Sequence, residues 1–122
     1  MSEIVNEGGV KAQVKKLLTA HGWMWWMPPA NGFGKSNVDV NALKNGHFLA
    51  VETKFDKRQL TSNQVKYLRD VSKHGGSALV VREVTLNAFA HWLEVHADNQ
   101  KLREQLDALE VLTAELRSDR QR

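Results

Sequence analysis

Residues 38–54 read Val38-Asp39-Val40-Asn41-Ala42-Leu43-Lys44-Asn45-Gly46-His47-Phe48-Leu49-Ala50-Val51-Glu52-Thr53-Lys54. Two apolar runs, 38–43 and 47–55, flank Lys44-Asn45-Gly46. Asn-Gly between apolar runs is a strong short hairpin signal, so the runs are predicted to be antiparallel neighbours. Counting outward from the turn, Lys44 faces His47, Leu43 faces Phe48, and Asp39 faces Glu52. Lys54 lies two residues beyond Glu52 and shares its strand face. Asp39, Glu52 and Lys54 therefore converge.

A carboxylate in an apolar strand costs several kcal/mol unless it is paired or binds a cation. Two of them on adjacent strands point to a site for a hard divalent ion, Mg²⁺ or Mn²⁺. Such an ion polarises a phosphodiester and acidifies bound water, and Lys54 is placed to orient that water or to stabilise developing charge. The competing reading is a cross-strand Glu–Lys pair beside a capped Asp, an arrangement contributing roughly 0.2–1 kcal/mol.

Upstream, residues 4–21 read as a helix. Val10, Val14, Leu17 and Leu18 fall at helical spacing, Lys11, Lys15 and Lys16 lie on the opposite side, and His21-Gly22 marks the stop. Glu7, at the start, suits the helix dipole as well as a site. Residues 23–29, Trp-Met-Trp-Trp-Met-Pro-Pro, suggest a short strand ended by proline. Its three tryptophans crowd so small a domain, and one of them is a candidate exposed stacking surface. Residues 30–37 read as a loop. Its Gly34-Lys35-Ser36 is not a phosphate-binding P-loop, because Pro29 occupies the first glycine position and a strand follows, so no nucleotide cofactor is expected. Lys35 and Ser36 remain candidates for holding a nucleic-acid phosphate.

Downstream, Thr61 and Gln64 match a capping box opening a helix that runs to His74-Gly75-Gly76. Gln64 is thus either a cap or a site residue. Lys57, Arg58, Lys66, Arg69 and Lys73 make this region basic, and residues 77–82 read as a buried strand. Hairpin, helix and strand together predict a mixed sheet with helices packed on it. Residues 86–97 read as a further helix. Beyond it Val95, Asn99, Leu102, Leu106, Leu109, Thr113 and Leu116 step as a short heptad seam, suited either to dimerisation or to folding back.

The ordered set Glu7-Gly8-x-Val10-Lys11, Met27-Pro28, Asn31-Gly32-Phe33-Gly34, Val38-Asp39, Phe48 to Lys54, Thr61-x-x-Gln64 and Gly75-Gly76 resembles the PD-(D/E)xK nuclease superfamily, in particular its small stand-alone VRR-NUC proteins of phages and bacteria. Asn37 departs from the small residue expected before the Asp. The resemblance implies an α/β fold, a restriction-endonuclease-like αβββαβ core with a mixed sheet flanked by helices, over residues 1–84. Residues 85–122 are expected to form a C-terminal helical extension outside the core that the resemblance covers. It also implies a Mg²⁺-dependent endodeoxyribonuclease, with Mn²⁺ as substitute, acting on branched DNA (a Holliday junction or flap) as a homodimer. Carried over, Asp39 and Glu52 are metal ligands with the Thr53 carbonyl, Glu7 assists through water, Lys54 serves the nucleophilic water, and Gln64 is the motif glutamine. Lys35, Ser36, Lys57, Arg58 and Lys66 are the candidate DNA contacts. The alternative is a non-catalytic dimeric DNA-binding module on the same fold.

Composition sets the bounds. The 122 residues are 42% hydrophobic, without cysteine, and carry a net charge of +3. One domain with an appendage is expected, without disulfides or a thiolate zinc site. The charge is permissive for nucleic acid. No apolar run reaches the roughly 18–20 residues that span a bilayer, and the N-terminus lacks signal-peptide regions. A cytoplasmic protein, of a bacterial cell or a phage-infected host, is therefore expected. The five histidines, scattered at element ends and on different helix faces, form no ligand set.

Overall fold

A computed structural model describes residues 3–28, 38–96 and 109. The loop bearing Lys35, Ser36 and Asn37, and nearly all of the heptad seam, lie outside the described residues. The chain divides into two units, Met1–Ala90 and His91–Arg122.

The hairpin organises the first unit. Asn45 (φ 50°) and Gly46 (φ 79°) both adopt left-handed backbone, as a type I′ turn demands. The turn joins β2 (Val40–Lys44) to β3 (His47–Thr53), with Lys44 opposite His47 and Leu43 opposite Phe48, as counted from the sequence. β1 (Met24–Trp26) pairs antiparallel with β2, and β4 (Ser77–Val81) pairs parallel with β3. The sheet order is β1-β2-β3-β4.

Helix α1 (Glu7–Ala20) starts later than its apolar spacing suggests, because Asn6 caps it by accepting the Gly9 N–H at 2.9 Å. Its Val10, Val14 and Leu18 are fully buried. It covers the sheet face that carries Trp25, Ala42, Leu49 and Val51. Trp25 donates to the Thr19 hydroxyl at 2.9 Å, and the Lys15 ammonium lies 5.6 Å over its ring. Helix α2 (Ser62–Lys73) returns the chain from β3 to β4 over the other face, where Leu68 meets Ala50 and Val38. Tyr67 donates to Asn41 at 3.2 Å on that face. The two faces of β3 are thus claimed by two helices, and its alternating side chains distribute Glu52 to the α2 side and Thr53 to the α1 side.

One expectation is corrected, and one is met. Residues 77–82 were expected to form a buried strand, but in β4 only Val81 is buried. β4 is an edge strand, and an apolar run does not distinguish an edge from a centre. Of the three clustered tryptophans, Trp23 is 4% exposed and Trp26 37%, with Trp26 on the open edge strand.

Gly76 marks the tightest approach between α2 and the sheet. A Cβ there would lie 2.9 Å from Val71 Cγ1 and 3.0 Å from the Phe48 carbonyl oxygen. Backbone cannot yield as a side-chain tip can, so Gly76→Ala is expected to cost about 1–3 kcal/mol, read as a lower urea midpoint.

After β4 a single 3-10 turn, Glu83–Thr85, leads into α3, residues 86–96. Phe89, in the first unit, is buried. In the second unit, Trp92 and His96 stack with centroids 4.9 Å apart.

Candidate metal centre

The C-terminal end of β3 is where both helix-covered faces of the sheet meet, and the predicted residues gather there. The hairpin ladder ends at Val40 opposite Val51. One step further, Asp39 sits at a bend rather than inside a strand. Its Oδ2 accepts the Thr53 N–H at 2.9 Å and the Thr53 hydroxyl at 2.6 Å. Its Oδ1 lies 3.1 Å from Lys11 Nζ, on α1. The Asp39 carboxyl is also near enough to Glu52 for its charge to act on that side chain.

Glu52 is 2% exposed. Its Oε1 accepts the Gln64 side-chain amide at 3.0 Å and lies 3.6 Å from Lys54 Nζ. Its Oε2 is buried and accepts no hydrogen bond. Lys54 follows β3, anchored by its N–H to the Val81 carbonyl at 3.0 Å. Its ammonium reaches Glu7 Oε1 at 4.0 Å, too long for a hydrogen bond, so that buried oxygen also lacks a partner. Glu7, the first residue of α1, therefore faces the site as well as the helix dipole.

Gln64 resolves its two readings by filling both. Its Oε1 accepts the Thr61 N–H at 2.9 Å, and its own N–H donates to the Thr61 hydroxyl at 3.2 Å, completing the capping box. Its amide nitrogen remains free of the cap and holds Glu52. An amide carries donor and acceptor on one planar group, which makes both duties compatible.

The electrostatics are those of crowded acid. Burial, then the neighbouring Asp39 charge, push the Glu52 carboxyl up to about 8, against an opposing pull from Lys54. Burial also pushes Asp39 upward, but the hydrogen bonds from Thr53, with those of Glu52 and Lys11, outweigh it and leave its carboxyl below the usual value. One carboxyl thus stays ionised while the other resists ionisation, the pattern of a pair that wants a cation.

Among the described residues no group of three or more His, Asp or Glu side chains suffices to hold a metal ion by itself. Mg²⁺ does not require one, since it is commonly held by one or two carboxylates and keeps sites for water and phosphate. Glu52 Oε2, orphaned and buried, together with the adjacent Asp39 carboxyl, fits such an ion. Three of the five histidines are engaged elsewhere: His21 with the Leu17 carbonyl, His47 with Ser77, and His74 with the Asp70 carbonyl.

Of the candidate DNA contacts, Lys57 and Arg58 line a groove together with Glu7 and Phe55, so they adjoin the site. Lys66 lines a different depression on α2, beside Arg69. Sequence reasoning missed two parts. Lys11 was assigned to the solvent side of α1, although it lies one turn after Glu7 and so shares its face. The Thr53 hydroxyl, which orients Asp39, was overlooked in favour of the carbonyl. The charged turn expected over residues 56–60 opens at Asp56. Asp56 takes a left-handed φ of 57°, held by its N–H to Glu83 at 3.0 Å and by its carbonyl, which accepts from Arg82 at 2.9 Å.

No family model matches the chain. Among solved structures, a VRR_NUC domain superposes with a TM-score of 0.60 at 21% identity, over 72% of this chain and 97% of that one. Hjc from Archaeoglobus fulgidus, a Holliday junction resolvase, aligns with a TM-score of 0.45 at 21% identity, over 59% of this chain and 63% of that one. Among the described residues no helix is long and apolar enough to cross a membrane. The mixed sheet flanked by helices, closed by the superposition on the VRR_NUC domain, gives the chain a restriction-endonuclease-like α/β fold.

Proposed function

We propose that the protein is a metal-dependent endodeoxyribonuclease that hydrolyses phosphodiester bonds in branched DNA. The observation that carries this reading is the buried Asp39–Glu52 carboxyl pair with an orphaned oxygen, set against Lys54. A purely structural pair would have little reason to leave a buried carboxyl oxygen unsatisfied.

Asp39 and Glu52, with the Thr53 carbonyl and with Glu7 through water, would hold Mg²⁺ or Mn²⁺. When bound, the ion supplies Lewis-acid polarisation of the phosphate and a lowered pKa for water. The chain's own groups do the positioning. Thr53 fixes Asp39 through Oδ2, so that Oδ1 would be the oxygen offered to an ion. Gln64 fixes Glu52 through Oε1 and leaves Oε2 open. Lys54, buried beside both Glu52 and Glu7, orients the attacking water and stabilises charge that develops on the phosphate oxygens. Lys57 and Arg58, in the groove shared with Glu7, contact the backbone phosphates, and Lys35, Ser36 and Lys66 are further candidates for such contacts. The fold shared with the VRR_NUC domain supports the nuclease reading. Paired cuts on a four-way junction require a two-fold homodimer, to which residues 85–122 would contribute. A DNA substrate would agree with a cytoplasmic location, in a bacterial cell or a phage-infected host.

The test is cleavage of linear duplex, single strand, flap and four-way junction in Mg²⁺, Mn²⁺ or EDTA. Metal-dependent cuts on the branched substrates are expected. Binding without scission in any ion would instead establish the non-catalytic module.

The double duty of Gln64 allows cap and site to be separated. Thr61→Ala removes only the cap and is expected to cost about 1 kcal/mol of stability while cleavage persists. Gln64→Ala should cost at least as much and also slow cleavage by about tenfold or more, since Glu52 loses the donor that orients it. Urea midpoints and single-turnover rates on the same preparations check both.

A further inference from the structure

We propose that Lys11 is a built-in stand-in for the metal ion, a positioning residue that occupies the coordination oxygen of Asp39 and must leave it when a divalent cation binds. This inference rests on the metal-dependent reading above. The Thr53 N–H and hydroxyl both fall on Asp39 Oδ2, at 2.9 and 2.6 Å. Oδ1 is therefore the oxygen left for a cation, and Lys11 Nζ stands 3.1 Å from it.

Lys11 is suited to withdraw. Its side chain is 25% exposed and comes from α1 on a flexible four-carbon stem, so the ammonium can swing to water or to a phosphate without disturbing the helix. Lys54 differs, being 9% exposed and tied between Glu52 and Glu7. The two lysines thus divide the work. Lys54 stays at the reacting centre, while Lys11 neutralises Asp39 when the ion is absent and competes with the ion for the same oxygen. The competition sets how much divalent cation the site needs.

Isothermal titration of the full chain with Mn²⁺, and with Mg²⁺, in the absence of DNA tests this without reference to cleavage. Lys11→Met and Lys11→Gln are expected to bind the ion roughly tenfold more tightly, because a unit charge beside the ligand oxygen is gone. Lys15→Met is the control. It removes the same charge from the same helix, one turn on, where the ammonium lies over Trp25. Its affinity should stay within about twofold of the parent, as expected for a screened charge away from the ligands. Unchanged or weaker binding in both Lys11 variants, or equal tightening in Lys15→Met, overturns the proposal while leaving the metal site intact. Absence of ion binding in the parent and in every variant overturns the metal reading itself, and this inference with it.

Discussion

Lys54→Met is expected to lower the single-turnover rate of DNA cleavage by about two to four orders of magnitude, the range associated with a positioned proton-transfer or charge-stabilising group. The methionine keeps most of the length and apolar stem of the lysine, so the packing at the end of β3 should persist. The ammonium, however, is lost from between Glu52 and Glu7, at 3.6 and 4.0 Å. Two consequences follow from one change. Charge developing on the phosphate has no internal cation opposite it, and Glu52, no longer drawn down by Lys54, holds its proton more firmly. DNA affinity should change little, because phosphate binding is assigned to Lys57, Arg58 and their neighbours on the groove and not to a buried lysine. Rates at saturating protein, beside a filter-binding or anisotropy isotherm, separate the two. A rate within about threefold of the parent would remove Lys54 from the chemistry, being too small for a group of this kind.

The second large effect is on stability. In EDTA the folded protein is expected to become less stable as pH rises from about 5 to about 8. Burial and the Asp39 charge raise the Glu52 carboxyl from 4.5 to about 8 in the folded chain. Below 4.5 both folded and unfolded chains hold this proton and its contribution is fully present. Between the two values the unfolded chain releases the proton and the folded chain keeps it, so folding is opposed more with each pH unit. The accumulated loss is on the order of 3–5 kcal/mol. Asp39, shifted downward, acts outside this window, its contribution being lost as pH falls through its lowered value. Millimolar Mg²⁺ should flatten the slope, since a bound cation favours the ionised carboxyl. Glu52→Gln should flatten it without metal, having no proton to hold. Urea midpoints at pH 5, 7 and 9, with EDTA or Mg²⁺, provide the measurement. A flat profile for the parent in EDTA would contradict the crowded-acid account.

The central hairpin was legible because its determinants are local. Asn45-Gly46 dictates a type I′ turn, and the turn dictates the register that holds from Lys44 opposite His47 to Val40 opposite Val51. Thr61 and Gln64 were legible as a cap for the same reason. Their second function was not, since the reach of Gln64 to Glu52 depends on how α2 docks on the sheet. Lys11 failed to register for the same cause. Period and charge assign it to the polar side of α1, but the docking of that helix turns its edge onto Asp39. The bend at Asp39 was also hidden. Extending the ladder by one residue predicted a cross-strand pair, whereas the chain leaves the strand there and hands the carboxyl to Thr53. β4 shows the limit of composition, because Ser77 to Val81 is as apolar as a central strand yet lies at the sheet edge.

The most direct measurement is the single-turnover cleavage of a four-way junction in Mg²⁺ by the parent chain and by Glu52→Gln, with junction binding followed in parallel. Glu52→Gln keeps the shape of the buried side chain and removes its ability to ionise. The account predicts metal-dependent scission by the parent, scission reduced by about three orders of magnitude in the variant, and comparable binding by both. Scission by Glu52→Gln at the parent rate would contradict it.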